Sequence, residues 1–417
     1  MAAMPARPGR PDVLRSMNDN AALNLLISSG PLTRAQIGRA TGLSGPTVSQ
    51  VISRLLMTGV IGEAGLVASR RGPEAVSYRV RTEAKLGVAL QMLPGSAIAC
   101  VVDASGQAQP VADVRLPRDR TAASDVAAAV EAACRASKLP SAGIVAVSIG
   151  VPGAVSPDSN HLNFVGPLPG WPRREVRSQV EAGLHLKVLM DNDANLAAIA
   201  EHEARQDEED FALLWQGEGL RVASVVDGLV QRGASGGAGE IGYLALPGLA
   251  GTGAKPVTLQ DQAGSPAVIR IVRSFVKSVR TYEVALVALK SSPQRAAILA
   301  ELASNTAQAL IPALAVLDPA RVVLGGPTGA AGGAEYARLV QTHLQRSTRW
   351  RVPVTQTVVP DNPVLRGATL TLAAYLTELL LASATNNRPG VGAEHQGPVA
   401  SDEARKGENN DRFIIAA

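Results

Sequence analysis

Two stretches of the chain carry side chains whose types and spacing suit chemistry on a bound molecule. Asp191-Asn192-Asp193-Ala194-Asn195 follows an apolar run over residues 186–190. Its amides and carboxylates therefore stand at the carboxyl end of a buried strand, where α/β sheets bind ligands. Asp193 could take a proton there as a general base, although an Asp opening a helix is also a common N-cap. The second stretch, Arg232-Gly-Ala-Ser-Gly-Gly-Ala-Gly-Glu-Ile-Gly-Tyr243, presents Glu240 in a glycine-rich loop; a salt bridge at a turn is the alternative use of that carboxylate. Two generic phosphate motifs fail nearby. Gly237-Ala-Gly-Glu-Ile-Gly242 matches G-x-G-x-x-G in letters but lacks the strand-to-helix setting and the later acidic partner of a dinucleotide site. Residues 248–255 resemble a P-loop, but Ala254 precedes the lysine and Pro256 follows it, which rejects the Walker reading.

A third constellation lies near the start. The helix expected from Gly45 exposes Thr47, Ser49, Gln50, Ser53 and Arg54, donors and acceptors suited to base edges and phosphates in a major groove. The elements around it support that use. Thr33-Arg34-Ala-Gln36 fits a capping box, and Gly42 is a suitable residue to end the helix it opens. Ser44 caps the next helix, where Pro46 is tolerated because first-turn amides lack intrahelical partners. Val48, Val51, Ile52, Leu55 and Leu56 form its apolar face, and Gly59 ends it. The connection Thr41-Gly-Leu-Ser44 has the length and glycine of a helix-turn-helix. Strand-like segments at residues 60–61 and 76–80 flank Ser69-Arg-Arg-Gly-Pro73, a basic-tipped wing whose Arg70 and Arg71 would reach phosphates or a narrow minor groove. Thr33, Arg34, Ser44 and Gly72 complete the candidate DNA-contacting set. A small helical protein-interaction domain is the bland alternative. Charge favours DNA: the first 81 residues hold ten arginines, no lysine and four carboxylates, net +6, which leaves −2 for the rest of a chain of net +4.

From Leu86 the pattern alternates. Strands are expected at 86–90, 97–102, 145–149, 186–190, 211–215, 223–226 and 321–324. Helices are expected at 20–29, 124–136, 196–203, 265–289 and 294–317. Such alternation indicates α/β layers. Residues 368–384 are apolar but interrupted by Glu378 and read as a buried helix rather than a membrane span. The first thirteen residues lack an apolar h-region, so no secretory signal is expected. Cys100 and Cys134, the only cysteines, read as reduced thiols and exclude a multi-cysteine zinc site. Residues 386–411 are polar and Gly/Pro/Glu-rich, the composition of a disordered tail. A cytoplasmic location is expected, with no membrane partner.

Gly150-Val-Pro-Gly153, Trp171, Asn192-Asp-Ala-Asn195, Ala238-Gly-Glu-Ile-Gly242 and Asp318-Pro…Val-Val-Leu-Gly-Gly326 occur here in the order seen in the ROK family. That family unites repressors, open reading frames and sugar kinases, and the resemblance spans roughly residues 15–385. It implies an α/β fold, with an N-terminal winged helix-turn-helix (1–81) before a two-lobed actin-like, sugar-kinase-like (RNase H-like) ROK domain (82–385), and then the tail (386–417). It implies that Asn192, Asp193 and Glu240 contact a sugar, that Tyr243 stands where zinc-binding members carry a His, and that Gln260 replaces a sugar-contacting Glu. The kinases open with an Asp-x-Gly-Gly-Thr type turn. Ala89-Leu-Gln-Met-Leu93-Pro-Gly95 has neither the acid that organises Mg²⁺ nor paired glycines, a loss fatal to a reaction that depends on positioning and charge neutralisation.

The resulting expectation is a homodimeric transcriptional repressor without catalytic residues, metal or cofactor. It would bind double-stranded DNA at an inverted repeat and respond to a sugar or sugar derivative held by Asn192, Asp193, Glu240, Tyr243 and Gln260. The alternatives are a regulator with a vestigial pocket controlled by a protein partner, and an active ATP-dependent sugar kinase.

Overall fold

The computed structural model describes residues 11–69, 72–107, 109–156, 161–163, 168–205, 209–246 and 256–386. Its contacts divide the chain into two units, one of residues Met1–Lys85 with Tyr375–Ala417, the other Leu86–Ala374. The last helix thus starts in the second unit and ends in the first.

The first unit opens with α1 (Pro11–Ser29), then β1 (Leu32–Thr33), α2 (Arg34–Thr41), α3 (Gly45–Met57), β2 (Ile61–Ser69) and β3 (Gly72–Val80). Helix α1 extends further back than its sequence pattern foretold. Its buried face is Asp19, Ala22, Leu23 and Leu26, an i, i+3, i+4, i+7 set, whereas Leu25 and Ile27 are only half-buried. Local chemistry fixes the next two helices. Thr33 Oγ1 accepts from the Gln36 amide while Gln36 Oε1 accepts from the Thr33 amide, a complete capping box. Gly42 closes α2 at φ 72°, and Ser44 caps α3 through the Thr47 amide. Ile37, Val48, Val51, Ile52 and Leu55 then close the core with Ile61 and Tyr78 from the hairpin. Strand β3 lies between β1 and β2, antiparallel to both.

The second unit contains two five-stranded sheets of matching design. The first uses β4 (Leu86–Met92), β5 (Ser96–Asp103), β6 (Ala112–Arg115) and, beyond α4 (Ala122–Ser137), β7 (Ile144–Val151). A two-stranded ribbon, β8 (Ala154–Val155) and β9 (Leu162–Asn163), and α5 (Val176–Leu184) lead to its last strand, β10 (Lys187–Asn192). The order is β10-β7-β4-β5-β6, with β7 parallel to both β4 and β10 and the β4-β5-β6 pairs antiparallel. Helix α6 (Asp193–Arg205) follows directly.

The second sheet repeats the scheme with β11 (Phe211–Gln216), β12 (Leu220–Val226), β13 (Leu229–Val230), and later β14 (Arg321–Gly325) and β15 (Val354–Gln356), in the order β13-β12-β11-β14-β15. Between them run α7 (Leu259–Ala263), α8 (Ser265–Phe275), α9 (Tyr282–Ser291) and α10 (Arg295–Leu317); α11 (Gly326–Ser347) and the start of α12 (Pro363–Asn386) complete the unit. The single helix expected over 265–289 is two helices. The α8 hydrogen bonds end as Val276 N–H reaches Val272 O, and Thr281 Oγ1 caps a fresh start by accepting from the Val284 amide. Residues 363–384 are long and apolar enough to cross a membrane by length and composition, yet half of that stretch is buried inside the protein, with Leu372, Leu376 and Leu380 almost fully enclosed.

Candidate functional site

Strand β10 delivers Asn192 to its carboxyl end, and α6 begins at the next residue. Asn192 Nδ2 donates to Gly153 O at 2.9 Å, and its Oδ1 accepts from the Ala194 amide at 2.7 Å. Asp191 Oδ1 accepts from Asn195 Nδ2, while Asp191 Oδ2 receives the Arg232 guanidinium at 2.8–2.9 Å. Asp193 is buried, and its Oδ1 accepts from the Ala194 amide at 2.8 Å.

The residue that organises this cluster is Arg221 on β12, 5% exposed. Its Nη1 donates to Asp193 Oδ1 at 3.0 Å and its Nε to Glu240 Oε1 at 2.8 Å. The structure therefore joins Asp193 and Glu240 through a buried guanidinium that the sequence pattern did not single out. Burial pushes the carboxyls of Asp193 and Glu240 upward, against the opposing pull of Arg221. For Arg221 itself burial acts downward but is outweighed by Asp193 and Glu240, so its pKa is raised. The Trp215 side chain also opposes the rise at Asp193, more weakly than Arg221 does.

The glycine-rich run is shaped by close backbone approach. Gly236 has φ 74° and its missing Cβ would lie 2.0 Å from Val155 O; Gly239, at φ 76°, would place one 1.7 Å from Val222 O. The loop is thereby pressed between the β8 ribbon and β12, and Glu240 emerges next to Arg221. Tyr243 is 59% exposed at the end of a short 3₁₀ turn. Gln260 is already occupied: its Oε1 accepts from the Leu220 amide at 2.8 Å and its Nε2 donates to Glu218 O at 2.5 Å. It holds the β11–β12 turn. The structure brings Asn192, Asp193 and Glu240 together, leaves Tyr243 at the surface and engages Gln260 with backbone.

In the first unit Ser44, Gln50 and Ser53 are exposed, while Thr47 and Ser49 are half-buried on the same helix. Thr33 is buried in its capping box, and Arg34 stacks over the Tyr78 ring at 5.4 Å. Arg54 is half-buried and engaged within the fold. Its guanidinium grips Asp19 of α1 through two contacts, Nη2 to Oδ1 at 2.6 Å and Nε to Oδ2 at 3.1 Å, because Asp19 lies on the buried face of α1 and needs a counter-charge. Arg70 and Arg71 lie outside the described residues, as does the side chain of Gly72's wing tip neighbour Pro73.

The ROK family model matches residues 95–374, about two-thirds of the chain. The chain belongs to the ROK family. Against the DNA-binding transcriptional dual regulator NagC of Escherichia coli (strain K12) it is 24% identical over 245 residues, 57% of this chain and 60% of that relative, so it spans well under the full length of the curated protein. A ROK-family transcriptional regulator described as a homologue of the E. coli MLC protein superposes with TM-score 0.68 at 17% identity, covering 90% of this chain and all of the other. A ROK hexokinase from Thermus thermophilus gives TM-score 0.54 at 26% identity over 69% of this chain and 97% of its own. The second unit is therefore an α/β ROK domain of sugar-kinase-like fold.

Within this ROK domain, buried side chains hold the turns at the ends of several strands. The family match starts at residue 95, within the turn between β4 and β5. That turn is pinned by Arg120, whose Nη2 donates to Pro94 O at 2.6 Å and whose Nε donates to Pro169 O at 3.0 Å. Arg120 is itself buried beside Asp125, which also accepts from Trp171 Nε1 at 2.8 Å. Sequence reasoning overlooked Arg120. At the carboxyl ends of β11 and β14, the Tyr282 hydroxyl bonds Gln216 O and Thr328, and the Tyr336 hydroxyl bonds Thr306 and Gln216. Gly326, at φ 73°, packs so near Gln216 that a Cβ would come within 2.7 Å of its carbonyl. Glu218 crowns the same turn, its carboxyl pushed up by burial and by the charges of Glu283 and Asp193.

Proposed function

We propose that this ROK protein is a DNA-binding transcriptional regulator, a cytoplasmic homodimeric repressor, and that it lacks sugar-kinase activity. The first unit is a winged helix-turn-helix in this reading. Helix α3 enters a major groove with Thr47, Ser49, Gln50 and Ser53 toward base edges, and the wing supplies Arg70 and Arg71 to the backbone. The proposed domains run over 1–81, 82–385 and 386–417. The observation that carries the reading is the capped pair α2–α3 with its exposed polar face, joined in one chain to a ROK domain similar in sequence to NagC. Genomic DNA fragments selected by the full-length protein and then footprinted test it. Protection of an inverted repeat that is lost in Gln50→Ala is expected; no sequence-selective retention overturns the reading.

Asn192, Asp193 and Glu240 form the proposed contact point for a sugar or sugar derivative. Fixed carboxylates and amides discriminate by hydroxyl pattern, because any unmatched group stays buried and unpaired. Calorimetric titration with neutral hexoses and pentoses, alongside release of the operator, tests this. Glu240→Ala should abolish the sugar response while leaving operator affinity in place. The engaged state of Arg221 and Gln260 favours a second reading, a pocket closed by its own side chains and a regulator governed by a protein partner. Absence of any sugar response in the wild type, with operator binding intact, selects it. Incubation with ATP, Mg²⁺ and a sugar panel tests the absence of kinase activity, and turnover would overturn it.

A further inference from the structure

We infer that the groove along α8 and the turn after it binds a small organic molecule bearing phosphate groups, at a site separate from Asn192, Asp193 and Glu240. The groove has a volume of about 870 Å³ and is lined by Arg270, Arg273, Lys277 and Arg280 above an apolar floor of Pro266 and Ile269. Residues 262–282 contain these four cations and no carboxylate. All four side chains are exposed, and among the described residues none pairs with an Asp or Glu in an ion pair.

The three guanidiniums are held in place by backbone oxygens. Arg270 Nη1 donates to Asp261 O at 3.2 Å, and Arg273 Nε to Val279 O at 3.0 Å. Arg280 Nη1 donates to the carbonyls of Lys277 and Val279. A guanidinium has five N–H donors, so each keeps most of its fork for a ligand while its position is fixed. The nearest acids in sequence are committed elsewhere or point to other partners. Asp261 caps its own helix through Thr258, and Glu283 lies near Glu218.

Four like charges in one concavity repel one another, and a bound polyanion removes that cost. Three arginines to one lysine favours phosphate, which the planar fork grips in bidentate fashion. The volume falls in the range of small-molecule sites, and the apolar floor suits the sugar ring or base of such a molecule. A helix C-terminus accounts for one or two nearby cations, but not for four that converge on a groove without a carboxylate.

Isothermal titration of the full-length protein with pyrophosphate, at physiological salt, tests the site. Arg270→Glu/Lys277→Glu changes only exposed side chains, and its circular dichroism melt verifies folding. Binding by the wild type that weakens about tenfold or more in the variant is the expected result. Adenosine triphosphate and a hexose bisphosphate, as separate competitors, distinguish a nucleotide from a sugar phosphate. Undetectable pyrophosphate binding, equal binding by both proteins, or competition by neither organic phosphate overturns the inference. So does a decaglutamate peptide or a non-operator duplex that binds this surface where pyrophosphate does not; those outcomes assign it to an acidic protein or to nucleic acid.

Discussion

Removal of Arg221 is the most demanding test of how the second unit is held together. Its guanidinium is 7% exposed and bridges carboxylates that are 12% and 8% exposed, at 3.0 and 2.8 Å. Replacing it by Met keeps much of the volume but leaves two buried acids without a counter-charge. Breaking a buried pair by deleting one partner costs about 3–5 kcal/mol. An unfolding entropy of about 2.1 cal/mol/K per residue over the 289 residues of Leu86–Ala374 gives about 0.6 kcal/mol/K, so the melting temperature should fall by roughly 5–8 °C. The cause is separable from lost packing. In Arg221→Met/Asp193→Asn/Glu240→Gln the acids become neutral amides, and a neutral well-packed site is often as stable as the ion cluster it replaces. Calorimetric melts of wild type, single variant and triple variant should therefore show a large loss in the single variant and recovery of at least half of it in the triple. A single variant within about 1 °C of wild type, or a triple variant less stable than the single, refutes the proposed ionic bridge.

The same two acids predict a pH dependence. Their folded carboxyls titrate above the unfolded values of about 4, raised chiefly by burial; the folded state therefore holds protons that the unfolded state has released, and their stabilising contribution falls as pH rises through that window. The melting temperature of Asp193→Asn/Glu240→Gln should decline less between about pH 4 and pH 7 than that of the wild type, and a steeper decline in the variant contradicts the assignment. Gln50→Ala should cost about 1–3 kcal/mol of operator affinity if its amide reads a base in bidentate fashion, measured by fluorescence anisotropy. Arg71→Ala should weaken binding to all sequences alike and reduce the salt slope by about 1. A double-mutant cycle on Arg54 and Asp19 should give a coupling in melting free energy of about 1–2 kcal/mol; zero coupling would return Arg54 to the DNA-facing surface.

How much of this was legible in the sequence depended on range. Caps are local, so Thr33 with Gln36 and Ser44 with Thr47 could be read from four consecutive letters, and the structure forms both. The pairing of Arg54 with Asp19 could not be read in the same way. The helical position of Arg54 places it toward the exposed side of α3, and nothing nearby announces that Asp19, 35 residues earlier, turns a carboxylate toward it. Arg221 was missed for a related reason. The strand was expected to start at Ala223, which left the arginine in a turn, whereas β12 starts at Leu220 and carries Arg221 inward. A lone arginine in the apolar stretch Leu220-Arg-Val-Ala-Ser-Val-Val226 was the available signal, since a charge inside a buried strand requires a partner. The glycine run was legible as unusual backbone, but its cause, pressure against the carbonyls of Val155 and Val222, belongs to tertiary contact and has no local signature.

The burial of Asp193 and Glu240 is offset by where Arg221 sits. Two buried acids close together are costly unless a cation neutralises them. Arg221 is that cation, and it changes what the acids can do. The oxygens a sugar hydroxyl would approach are already hydrogen-bonded, Asp193 Oδ1 to Nη1 and Glu240 Oε1 to Nε. Binding then requires exchange rather than simple addition. A hydroxyl that takes either oxygen releases one arm of a guanidinium anchored in β12, next to the turn that Gln260 and Ser265 hold through Leu220 and Glu218. A ligand shifts a conformational equilibrium only by its difference in affinity between states, and displacement of Arg221 supplies such a difference in a way that hydroxyls meeting free carboxylates would not. Displacement of this guanidinium is therefore the step through which an effector bound at Asp193 and Glu240 would act.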